Sequence, residues 1–155
     1  MMDGCPGSRM QDFRKKPEGA HDESGKRASQ LAQWPIQLHL ISPMAPYYQK
    51  ADVLLSADCV AYAAGDFHKD YLKGKSIAIG CPKLDEGQDE YVEKIKSLID
   101  DAKINTLTVM TMQVPCCAGL VATAEEALRS AKRKIPIKSI VLTLQGDVLS
   151  EEWVS

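Results

Sequence analysis

Short strand-length runs alternate with segments whose apolar residues repeat at helical spacing, and this alternation restricts the chain more than any other feature. VLLSA (53–57), SIAIG (76–80), TLTVMTM (106–112) and IKSIVLTL (137–144) are apolar and largely β-forming. Between them, Tyr91, Val92, Ile95, Leu98, Ile99 and Ala102 fall on one helical stripe, and Leu120, Val121, Ala124, Ala127, Leu128 and Ala131 on another. Strand runs this apolar need cover on both faces. The order predicts an α/β domain: a three-layer open sheet of about five mostly parallel strands, with right-handed crossovers placing helices on both faces.

The alternation of IQLHLI (36–41) supplies the remaining strand, with His39 in mid-strand as a hydrogen-bonded core residue. Residues 66–73 read as a short helix stopped at Gly74. A helix over residues 118–132 begins just after Cys116 and Cys117, and Lys132, Arg133 and Lys134 suit its C-terminal dipole. Gly146-Asp147 turns a short hairpin into the chain's tail.

Residues 1–30 differ from the rest: Gly, Pro and mixed charge with few apolar side chains, a composition expected of a flexible or loosely docked tail. Residues 31–155 form the predicted domain. The net charge of −2 gives no reason to expect nucleic acid or an anionic membrane as partner. No apolar stretch approaches the ~20 residues of a membrane span, and the N-terminus has no signal-peptide core. The expected location is cytoplasmic.

Four of the five cysteines lie where the apolar runs end: Cys59 after VLLSAD, Cys81 after SIAIG, and Cys116 and Cys117 after LTVMTMQVP. If those runs are parallel strands, the four thiols meet at one edge of the sheet, where ligands of open parallel sheets bind. Four soft donors at one place suit an iron–sulfur cluster, with a zinc ion as the alternative. Helix onset beside Cys116 and Cys117 favours thiolate there, and glycine at positions 80 and 119 permits the close backbone approach that cluster sulfurs need.

The spacing matches neither a ferredoxin C-x2-C-x2-C-x3-C run nor a zinc ribbon. Cys5, in GCPGS, is either a fifth thiol brought over the strand ends or a free surface cysteine. His68 reads as an exposed helix residue, the other readings being a group supporting the site or an alternative ligand. Lys83 and Asp85, beside Cys81, either tune the charge of a bound group or solvate a loop. No G-x-S-x-G elbow, P-loop, G-x-G-x-x-G or H-E-x-x-H motif occurs. A cysteine nucleophile served by His39 or His68 is the remaining enzyme reading.

QWPIQLHLISPMAPY (33–47), ADVLLSADCVAYAAGDFHKDYLKGK (51–75), IGCPKLD (79–85) and MQVPCCAGLV (112–121) resemble the C-terminal part of the 4Fe–4S ferredoxin-type iron–sulfur-binding proteins of anaerobic bacteria and archaea. GCPGS (4–8) is similar to a segment joining that family's two halves. The resemblance implies a 4Fe–4S cluster, with Cys59, Cys81, Cys116 and Cys117 as candidate ligands. It implies a redox or electron-transfer role with a ferredoxin or redox-enzyme partner protein. Family members carry an N-terminal ferredoxin domain with eight cysteines, and no such domain is found in this sequence. The alternative is a zinc- or thiol-only module that docks on a ferredoxin-like partner.

Overall fold

The apolar runs at 53–57, 76–80 and 106–112 are strands, the run at 137–144 is a strand as far as Leu142, and the two helical stripes are helices. A computed structural model describes residues 6–14 and 25–154, apart from the side chains of Pro6, Cys116 and Cys117. β1 (Gln11–Asp12) and β2 (Gln33–Trp34) form a small antiparallel ribbon. The main sheet holds β3 (Asp52–Ala57), β4 (Ser76–Gly80), β5 (Thr106–Met112), β6 (Ile137–Leu142) and β7 (Val148–Trp153), in the order β4-β3-β5-β6-β7. The first four are parallel, and β7 runs antiparallel to β6.

α1 (Val60–Ala63) and a π-helical turn (His68–Leu72) lead from β3 to β4. α2 (Gln88–Asp100) leads from β4 to β5, and α3 (Pro115–Ser130) from β5 to β6. The first crossover steps one way along the sheet and the other two step back. With right-handed connections, α1 and the π-turn cover one face while α2 and α3 pack together on the other. Residues 53–57 and 107–112 are accordingly buried without alternation. The five-stranded α/β sheet expected from the sequence is therefore present.

One of its strands is not the one expected. Residues 36–41 form a turn: the Gln37 carbonyl accepts from both Leu40 N–H (2.8 Å) and Ile41 N–H (3.0 Å). Leu38 and Ile41 are buried while Leu40 is 44% exposed, so the real apolar period is three, not two. The segment touches the sheet through a single bridge, Gln37 to Ile79. The fifth strand is β7, whose six residues are all exposed. The hairpin over Gly146-Asp147 is present and joins β6 to β7.

The turn at 36–41 seals the β4 edge of the sheet. Ile79 N–H donates to the Ile36 carbonyl (2.8 Å), and the Ile79 carbonyl accepts from Leu38 N–H (2.8 Å). Gln33 does the same for Ile77 with its side chain: Oε1 accepts from Ile77 N–H (2.8 Å) and Nε2 donates to its carbonyl (2.9 Å). The backbone groups that an edge strand normally leaves open are thus satisfied.

Two further ties hold the outer layer. The Asp100 carboxylate at the end of α2 accepts from Lys132 N–H and Arg133 N–H (both 3.0 Å), fixing the exit from α3. Lys134 Nζ donates to the Leu128 and Ala131 carbonyls (2.6 and 3.1 Å), the dipole-matched end expected for this helix. Near the N-terminus, Trp34 Nε1 donates to the Gly7 carbonyl (2.7 Å), and Arg27 pairs with Asp66 (3.2 Å). Cys5, with the rest of residues 1–5, and residues 15–24 lie outside the described part. No helix among the described residues is long and apolar enough to cross a membrane.

Candidate functional site

β4, β3 and β5 are neighbours and parallel, so their carboxyl ends share one edge. Ala57 at the end of β3 pairs in register with Gly80 at the end of β4, and Ser56 with Met110 of β5. Asp58 and Cys59 follow β3 directly, and Cys81 follows β4. β5 runs on through Gln113 and Val114 into α3, where Cys116 and Cys117 are the second and third residues. They therefore lie inside the first turn of the helix rather than before it, because Pro115 suits the opening position. Adjacent strands are about 4.8 Å apart, so the three segments that carry the four cysteines leave the sheet side by side. The chain also departs from β3 and β5 in opposite directions, which makes this edge the topological switch point, the place where ligands of such sheets bind.

Cys59 is exposed and Cys81 half-buried, and both are free thiols. The side chains of Cys116 and Cys117 lie outside the described residues, as does Cys5. Val114, in extended conformation, leads into α3 without a side-chain cap, and the first turn carries no acidic residue. The positive end of the helix is therefore presented at the strand ends without an internal counter-charge. A Cβ on Gly119 would lie 3.4 Å from Pro82, so the start of α3 rests against the residue that follows Cys81.

The turn after Cys81 is held from several sides. Cys81 N–H donates to Asp85 Oδ2 (3.1 Å), and Asp85 N–H donates to the Cys81 carbonyl (2.8 Å). The buried Tyr91 hydroxyl, from α2, donates to the same Asp85 oxygen. Gln88 Nε2 donates to the Asp85 carbonyl (2.9 Å). Burial, then the bond to Asp85, holds the Tyr91 phenol above its ordinary pKa. Gly80 has no room for a side chain because that phenol occupies the space, with Oη 2.5 Å from where a Cβ would sit. The space at Gly80, expected to admit cluster sulfurs, is thus taken by Tyr91, while at Gly119 a side chain would make only ordinary contact with Pro82.

Asp58 is the other acid at this edge. Its N–H donates to the Gly80 carbonyl (3.1 Å), and its Oδ1 is shielded from solvent without a hydrogen-bond partner. Burial, and then the nearby Asp85 charge, push its carboxyl above the usual aspartate range. Among the described residues, no three His, Cys, Asp or Glu side chains are grouped closely enough to hold a metal ion. Cys59 and Cys81 would need donors from the α3 pair.

Neither histidine expectation holds as stated. His39 sits in the 36–41 turn, half-buried, with Nε2 bonded to the Glu86 carbonyl (2.6 Å), Nδ1 3.3 Å from Glu90 and its ring 4.6 Å from Tyr91. It is hydrogen-bonded but not in mid-strand, because residues 36–41 form no strand. His68 is half-buried and accepts from Gln30 N–H at Nδ1 (3.0 Å), which ties the N-terminal segment to the π-turn. Lys83 is exposed in the loop. The residues that sequence reasoning missed are Tyr91, taken as plain core, and Asp58. The available signal was a tyrosine rather than a phenylalanine on a core stripe, since a buried phenol needs a partner.

A doubly wound sheet whose connections diverge after neighbouring strands defines the class of this molecule. Residues 45–155 match the model of a Rossmann-like domain family, and the chain belongs to that family. A protein of Archaeoglobus fulgidus, described only as uncharacterized, is 30% identical over 121 residues, covering 77% of this chain and 83% of that protein. No solved structure matches.

Proposed function

We propose that this chain binds an iron–sulfur cluster, of the 4Fe–4S type, through Cys59, Cys81, Cys116 and Cys117. It then serves in the cytoplasm as a redox or electron-transfer module beside a ferredoxin or redox-enzyme partner. The observation that carries the reading is that the segments bearing these cysteines leave three adjacent parallel strands at one edge. Two features beside the Asp58 and Asp85 carboxylates suit an anionic thiolate-bound group. The uncapped start of α3 offers a positive helix end, and the turn around Cys81 is fixed by its own hydrogen bonds. A bound cluster supplies one-electron redox chemistry. The chain's share is to supply thiolates from three elements, to hold the Cys81 turn through Asp85, and to present backbone N–H groups from the first turn of α3.

A zinc ion held by the same thiolates is the second reading, favoured by one observation. Asp58 Oδ1, shielded and without a partner beside Cys59, is a hard donor that a cluster does not require.

Anaerobic reconstitution with iron and sulfide, followed by iron and acid-labile sulfide assay, tests the proposal. Near-stoichiometric sulfide with a visible charge-transfer spectrum is expected. Each of Cys59→Ser, Cys81→Ser, Cys116→Ser and Cys117→Ser should lower occupancy, and indifference at three of the four overturns the reading. Tight zinc without sulfide moves the assignment to the second reading.

A further inference from the structure

We infer that Tyr91 and Asp85 are positioning residues for Cys81, and that Gly80 is the gap through which they meet. The inference rests on reading the strand ends as a thiolate site. Three elements converge here: α2 brings Tyr91, β4 ends at Gly80, and the loop brings Asp85 back over Cys81. One carboxylate oxygen, Asp85 Oδ2, accepts from both the phenol and Cys81 N–H, so the phenol fixes where that oxygen stands, and its loss frees the carboxylate that orients the cysteine. The phenol reaches Asp85 by passing over the Gly80 Cα, where any side chain would obstruct it.

The same turn is buttressed from outside. Gln88 holds the Asp85 carbonyl, Pro82 rests against Gly119 of α3, and the His39 ring lies against Tyr91. A core tyrosine that needed only a partner for its hydroxyl would not require contact with the strand end. Here the hydroxyl is joined, through one shared oxygen, to the backbone of a candidate ligand. Residues that orient a ligand affect affinity without touching the bound group, and their loss typically costs about 10–100-fold.

The test uses the reduced, metal-free full chain titrated anaerobically with Co2+, which reports thiolate ligation by a sulfur-to-cobalt absorption band. Thermal melting is measured in parallel. Tyr91→Phe keeps the ring and removes the hydroxyl, and should weaken Co2+ binding about tenfold and shift the band, with the fold retained. Gly80→Ala should act in the same direction by displacing the phenol. Asp85→Ala should be the most severe, and Asp85→Asn, which keeps a carbonyl oxygen for Cys81 N–H, should retain more affinity than Asp85→Ala.

Wild-type affinity and an unshifted band in Tyr91→Phe overturn the inference, even if its melting temperature falls, because that is the pattern of a purely structural tyrosine. If Asp85→Ala or Gly80→Ala does not fold, Tyr91→Phe alone decides. Two other results are distinct: no thiolate band in the wild type overturns the thiolate site and this inference with it, whereas no loss in Cys81→Ser overturns this inference alone, because Cys81 is then not a ligand.

Discussion

Gln33→Met should destabilise the domain by about 2–3 kcal/mol, because Gln33 stands in for a missing strand. Its side chain is fully buried and bonded to Ile77 N–H, the Ile77 carbonyl, the Tyr48 hydroxyl and the Pro35 carbonyl. Methionine fills nearly the same volume, so the cavity contribution is small. The Ile77 carbonyl keeps the Tyr48 hydroxyl at 2.7 Å, but Ile77 N–H loses the acceptor it has. An unsatisfied buried N–H costs about 1–3 kcal/mol, and the partners left by Nε2 add a fraction more. At roughly 2–4 °C per kcal/mol for a chain of this size, the melting temperature should fall by about 5–10 °C. Urea denaturation gives the free energy, and hydrogen exchange at the Ile77 amide locates the loss. A change below about 0.5 kcal/mol, with Ile77 still protected, would refute the idea that this amide seals the sheet.

Gly146→Ala should be much more damaging than Gly74→Ala. Both glycines have positive φ (+93° and +79°), but a Cβ at 146 would run into the Ala63 carbonyl, whereas nothing lies near position 74. Urea midpoints should show a loss of about 1 kcal/mol for Gly74→Ala and clearly more for Gly146→Ala. Asp100→Asn addresses a carboxylate held below its ordinary range by Arg133 N–H and Lys132 N–H. A depressed folded-state pKa gives stability that is present above the unfolded value, near 4, and is lost as pH falls through the folded one. The variant should therefore be less stable than wild type at pH 7, and the gap should close in acid. A gap that stays constant from pH 7 to pH 2 would show that the charge of Asp100 is irrelevant.

The parts of the fold that were legible in the sequence are those in which burial leaves a periodic trace. β5 is TLTVMTM without a residue's error, and α2 buries the Tyr91, Ile95, Leu98 and Ile99 stripe. Residues 36–41 misled because I-Q-L-H-L-I satisfies period two on paper, while a doubly accepting Gln37 carbonyl bends the chain into a turn. β7 left no trace of its own, since VLSEEW is exposed at every position; the Gly146-Asp147 turn was its one signal. The cysteine segments were legible through topology, because parallel strands send their ends to one edge. The supporting groups were not. Gln33 gives no sign in sequence that a polar side chain will be used as backbone, and the pairing of Tyr91 with Asp85 depends on Gly80 leaving a gap.

The closed β4 edge limits how this protein can associate. A sheet exposed at both edges can add neighbours on either side and grow without end. Here, among the described residues, one edge is occupied by Gln33 and the 36–41 turn, and strand addition is open at β7 alone. A second copy joining there would meet the first edge to edge and use up the free strand of both. Such growth stops at two subunits, so the turn that resembled a strand in the sequence works as a terminator of the sheet.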